Sequence, residues 1–165
     1  METDLAIRRA TAGDAAAIAA IYNPYIRDTV ITFEEEAVSE AEMADRIAEK
    51  LERHEWLVGE SGGRIVGYAY YGSFRSRAAY ARTVEATVYL ERAAIGRGFG
   101  RALYGELIAR ARSGGFSEMI GGIALPNAAS VALHERCGFV RVGLFPRVGY
   151  KLGRFVDVGF WQRSL

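Results

Sequence analysis

The chain has 165 residues, half of them apolar and a quarter charged, the proportions of an ordinary folded domain. Nine tyrosines and eight phenylalanines against three prolines exclude intrinsic disorder. The length excludes two large domains, so we expect one domain over residues 1–165. The net charge of +1 falls short of the basic excess of a generic nucleic-acid binder. A single cysteine, Cys137, excludes a disulfide framework and a cysteine-rich zinc site. No apolar run approaches the ~18 residues of a membrane span. The acidic start Met1-Glu2-Thr3-Asp4 has no apolar stretch behind it. The expectation is a cytoplasmic α/β or α+β protein without metal, nucleic-acid or membrane partners.

The elements alternate along the chain. Leu5 to Arg8 reads as a short strand. Thr11 and Asp14 form a capping pair for an Ala/Ile-rich helix that is expected to end near Asn23-Pro24. Ser39 and Glu42 open a second helix running to about Arg53. Glu55–Glu60 and Arg64–Tyr71 read as strands joined by the turn Ser61-Gly62-Gly63. A loop with Arg75, Arg77 and Tyr80 leads to a strand, Thr83–Leu90, of strict alternation. Gly98–Arg112 is a glycine-entered helix with Leu103, Leu107 and Ile108 on one face. Met119–Ala124 is a strand, and Asn127–Arg136 a helix closed by Gly138. Val140–Phe145 and Phe155–Trp161 are the last strands. Together they predict a mixed sheet with helices on both faces.

Charge is unevenly placed. Glu34 to Glu60 holds ten acidic residues against three basic ones, and Arg75 to Arg112 holds eight arginines against three glutamates. The second stretch is the place to look for an anionic ligand; solvated helix and loop arginines are the plain alternative. Within it, the strand Val84–Leu90 is followed by Gly96-Arg97-Gly98-Phe99-Gly100-Arg101 and a helix. Glycines let the chain turn tightly and present N–H groups without a Cβ in the way. The helix adds the positive end of its dipole. Arg97 and Arg101 add full charges. This is a phosphate or pyrophosphate cradle, or else a simple helix-entry turn. A Walker A loop needs Gly-Lys-Ser/Thr, and Arg101-Ala102 follows Gly100 instead. A dinucleotide fingerprint needs G-x-G-x-x-G, and the spacing here is one residue short.

The glycine turn, with Asn127 opening a helix that ends Cys137-Gly138-Phe139, resembles the GNAT acetyltransferase superfamily. Asn23-Pro24-Tyr25-Ile26, Thr32-Phe33, Thr83-Val84-Glu85, Leu133-His134-Glu135 and the tail from Gly149 to Gln162 resemble more narrowly its phosphinothricin and methionine-sulfoximine N-acetyltransferases. The resemblance implies the GNAT fold, with a central mixed, mostly antiparallel sheet. It implies acetyl-CoA as co-substrate, held by Val88, Tyr89, Leu90, Gly96, Arg97, Gly98, Phe99, Gly100, Arg101 and Asn127. It places Phe33, Arg75, Arg77, Ala78, Ala79, Tyr80, Thr83 and Val158 around a small anionic amino-acid-like acceptor, and it implies a homodimer, with Phe155, Phe160 and Trp161 as candidate apolar surface. Ile95 stands where the superfamily carries Gln or Arg.

Glu85 shares a strand face with Thr83, Thr87 and Tyr89, and reads as either a solvated sheet surface or a general base. Acetyl transfer needs such a base, because an ammonium must lose a proton before its lone pair attacks a thioester. His134 is a packed histidine without the resemblance and a proton-handling or orienting group with it. Cys137 reads as packing. Arginine forks at 75 and 77 fit a carboxylate or phosphinate. Other amine acceptors, such as a protein N-terminus or a polyamine, stay open at this stage, as does a non-catalytic acyl-CoA sensor.

Overall fold

The computed structural model describes residues 4–165, so the acidic start over 1–3 lies outside the described residues. In chain order it contains β1 (Ala6–Arg9), α1 (Ala15–Asp28), α2 (Glu40–Leu51), β2 (Trp56–Ser61), β3 (Arg64–Ser73), β4 (Thr83–Leu90), α3 (Phe99–Ser113), β5 (Glu118–Leu125), α4 (Ala128–Arg136), β6 (Val140–Lys151) and β7 (Arg154–Ser164). The seven strands form one sheet in the order β1-β2-β3-β4-β5-β7-β6. Only β4 and β5 run parallel; every other neighbouring pair is antiparallel.

The alternation of β4 sorts its side chains between two cores. Val84 and Ala86 pack with Leu103, Leu107 and Ala111 of α3, and with Met119, Ile123, Phe139 and Trp161. On the opposite face, Ile18, Ile21, Tyr22 and Tyr25 of α1 and Met43 and Ile47 of α2 cover Trp56, Val58 and Tyr68, with Tyr89 against them. Helices therefore cover both faces, as expected.

Two boundaries differ most from expectation. Helix α1 runs through Pro24 to Asp28. Proline removes one backbone donor, but burial of Tyr25 and Ile26 beyond it holds the last turn. The Thr29 hydroxyl then closes the helix by donating to the Tyr25 carbonyl at 2.7 Å. Strand β6 extends to Lys151 rather than stopping at Phe145, with a break in register between Phe145 and Gly149 where Arg147 adopts φ 57°. The Gly62-Gly63 hairpin forms as predicted, with both residues at positive φ.

Candidate active site

The sheet opens where the chemistry-bearing segments converge. Strands β4 and β5 pair only at Thr83–Glu118, Val84–Met119 and Glu85–Ile120. Beyond that point β4 stays with β3 as far as Leu90–Gly67, while β5 stays with β7 as far as Leu125–Asp157. The β5-side edge of Ala86–Leu90 is left without a strand partner, which leaves main-chain groups free to bind an extended ligand. At the end of that edge the Tyr25 hydroxyl donates to the Leu90 carbonyl at 2.6 Å.

The glycine turn lies directly beyond. Gly96 and Gly98 adopt φ 85° and 82°, the left-handed conformation that favours glycine. Gly98 caps α3, so the first N–H groups of a fifteen-residue helix open onto the turn. Gly100 serves packing instead: a Cβ there would lie 3.2 Å from Leu133 of α4. Phe99 is buried and anchors the turn, with the exposed Arg97 guanidinium 4.5 Å over its ring. Arg101 and Ile95 are exposed beside it. Asn127 caps α4, its Oδ1 accepting the Ser130 N–H at 3.2 Å. A left-handed glycine turn, a helix N-terminus and two arginines that join no ion pair among the described residues fit a pyrophosphate.

Glu85 stands at the last β4–β5 pair, on the face shared with Thr87 and Tyr89. Burial of its surroundings raises its pKa, and the nearby charge of Lys50 acts against that rise. Around this face, Phe33 is 42% exposed and leans on β6, its ring filling the space over Gly149 that a Cβ would take. Lys151 is buried and donates to the Thr32 carbonyl at 2.8 Å, tying the same loop to β6. Val158 is half-buried on β7, paired with Ala124 and Phe145, and Thr83 begins β4. Arg75, Arg77, Ala78 and Ala79 are exposed, and Tyr80 is half-buried. The Arg75 guanidinium lies 4.9 Å from the ring centre of Phe74 and 5.6 Å from that of Tyr80. Neither Arg75 nor Arg77 joins an ion pair among the described residues.

Residues 7–159 match the Acetyltransferase (GNAT) domain. The chain belongs to the GNAT acetyltransferase family. It is 41% identical to the phosphinothricin N-acetyltransferase of Streptomyces viridochromogenes, over 96% of this chain and 86% of that one. It is 38% identical to the L-methionine sulfoximine/L-methionine sulfone acetyltransferase of Salmonella typhimurium, over 98% and 95%. Its structure superimposes with a TM-score of 0.95 on a GNAT superfamily phosphinothricin acetyltransferase from Sinorhizobium meliloti crystallised with acetyl-CoA, at 39% identity, covering 98% of this chain and 89% of that one. This GNAT acetyltransferase thus has the mixed α/β fold of its family, and no metal-binding cluster occurs among its described residues.

Two candidate residues of this acetyltransferase sit differently from the simplest reading. Glu85 and His134 do not share a face. His134 is buried on the α3 side, its Nε2 over Gly121 in the space that a Cβ would take. Its Nδ1 donates to the Ser130 carbonyl at 2.7 Å, which leaves Nε2 to accept from the Tyr104 hydroxyl at 2.8 Å. Both ring nitrogens are engaged, and burial lowers the pKa, so the ring is neutral near pH 7. The arrangement suits an orienting group better than a proton shuttle. Trp161, in turn, is 2% exposed and belongs to the α3-side core, so it supplies no surface. Tyr104 and Lys50 belong to no motif in the sequence and stand out only through their contacts, Tyr104 with His134 and Lys50 with Tyr70.

Proposed function

We propose that this enzyme transfers the acetyl group of acetyl-CoA to the α-amine of a small anionic amino-acid analogue of the phosphinothricin, methionine sulfoximine or methionine sulfone type, by direct attack in a ternary complex. The observation that carries the reading is the position of Glu85 where β4 and β5 part, between the open strand edge leading to the glycine turn and the arginine-bearing loop. The names of the relatives support the acceptor class.

In this reading acetyl-CoA lies in the opening, its pyrophosphate on the turn from Gly96 to Arg101 and its pantetheine arm along Val88, Tyr89 and Leu90. Asn127 assists from the head of α4. The acceptor ammonium gives a proton to the Glu85 carboxylate. The freed lone pair forms the C–N bond with the thioester carbonyl carbon, the C–S bond breaks, and the coenzyme leaves as a thiolate that takes up a proton to become the thiol. His134, with Tyr104 bonded to it, orients the floor of the opening from the far face.

Arg75 and Arg77 hold the acceptor's acidic side-chain group. They also disfavour a polyamine, whose own charges they would repel. Replacing both with alanine is expected to raise KM for acidic acceptors with little change in kcat, because the lost binding is common to ground and transition states. Steady-state kinetics with an acidic and an uncharged acceptor test this; an equal loss on both would remove the arginines from acceptor recognition.

We also propose a cytoplasmic homodimer built as one domain over 1–165. Acetyl-CoA is a cytoplasmic metabolite, and no helix among the described residues is long and apolar enough to cross a membrane. Val140, Val142, Phe145, Val148, Tyr150 and Phe155, between 52% and 64% exposed, give the β6–β7 hairpin an apolar surface suited to a second copy. Phe155 is exposed, whereas Phe160 is half-buried. Sedimentation at micromolar concentration is expected to show a species of twice 18.1 kDa; a monomer alone would contradict the proposal.

A further inference from the structure

A cation with no carboxylate partner stands beside the proposed base. Lys50, in the last turn of α2, is half-buried and joins no ion pair among the described residues. Its ammonium lies 5.5 Å from the ring centre of Tyr70 and occupies the space left by the missing side chain of Gly72, where a Cβ would be 2.6 Å from Nζ. Gly72 is the direct cross-strand partner of Glu85. Residues so paired project to one face with Cβ positions about 5 Å apart. The ammonium therefore stands on the same face as Glu85, within about 8 Å of its Cβ. Lys50 and Glu85 nevertheless form no ion pair with each other.

An α-amino acid carries its ammonium and its carboxylate two bonds apart, with opposite charges. A carboxylate base next to a free ammonium is the complementary pattern. We infer that Lys50 holds the acceptor's α-carboxylate and so directs its amine at Glu85. The inference rests on the acetyl-transfer reading and adds to it the origin of selectivity for a free α-amino acid over other amines. Arg75 and Arg77, on the following loop, remain for the side-chain acid. Lys50 is then a specificity-determining residue, and Gly72 is glycine because any Cβ would push the ammonium aside. The competing account is structural: a lysine in the last helical turn favours the helix dipole whatever the substrate.

The test compares methionine sulfone with its α-carboxamide, which keeps the amine and side chain but lacks the carboxylate charge. In Lys50→Gln the KM for the free acid is expected to rise about 10- to 100-fold, the worth of a charge-assisted hydrogen bond, with kcat little changed. On the carboxamide, variant and wild type are expected to match. Gly72→Ala keeps the charge but displaces it, and is expected to show a smaller rise on the free acid only. An equal loss on acid and amide, or no change in KM for the acid in either variant, overturns the inference while leaving the enzyme's activity established. A wild-type protein that binds acetyl-CoA yet acetylates neither compound overturns the acceptor reading and the inference together.

Discussion

Glu85→Gln is expected to lower turnover by about 10²–10⁴-fold at neutral pH, the usual cost of losing a general base. Glutamine keeps the shape and polarity of the side chain but cannot accept the proton. The sign of the pH dependence follows from the environment. Desolvation raises the Glu85 pKa from its ordinary value and the Lys50 charge opposes the rise, so the base is lost by protonation as pH falls through that raised value. The acid limb of kcat/KM is expected there in the wild type and absent in the variant. As pH rises, more of the amine is already neutral in bulk water, so the deficit of the variant shrinks. Stopped-time thiol release from pH 5.5 to 9.5 measures this; wild-type turnover by Glu85→Gln at pH 7 would end the assignment.

Gly98→Asp is expected to abolish detectable acetyl-CoA binding. The residue adopts φ 82° as the cap of α3, so any side chain is strained there. An aspartate also sets a negative charge on the helix N-terminus proposed to hold the pyrophosphate. The wild type is expected to melt at a higher temperature with saturating acetyl-CoA, since a ligand that binds only the folded state stabilises it by mass action. The variant is expected to fold, with a lower melting temperature of its own, and to show no shift. A full shift in a folded variant would move the coenzyme away from the turn.

Much of this site is legible in the residues. Thr83–Leu90 reads as a strand because its polar and apolar residues alternate without a break, and the structure has the same limits. Gly96 and Gly98 read as a turn before a helix because no other residue type accepts that backbone so readily, and both have positive φ. Other features depend on contacts distant in sequence. Pro24 signals a stop, but the core that buries Tyr25 and Ile26 keeps α1 going. The end of β6 hides behind a register break at residues with no apolar period. His134 cannot be assigned a face from its helix, because helical periodicity does not say which side of the sheet the helix covers. Lys50 and Gly72 lie far apart in sequence, and only their packing places an ammonium beside Glu85.

The most direct measurement is thiol release from acetyl-CoA with a panel of amines, each product checked by mass. The account predicts one N-acetylated product per thiol with phosphinothricin, methionine sulfoximine and methionine sulfone, and little release with spermidine or peptides bearing a free N-terminus. Faster turnover of spermidine or the peptides than of these amino acids, or coenzyme binding with no acetyl transfer to any of them, would contradict it.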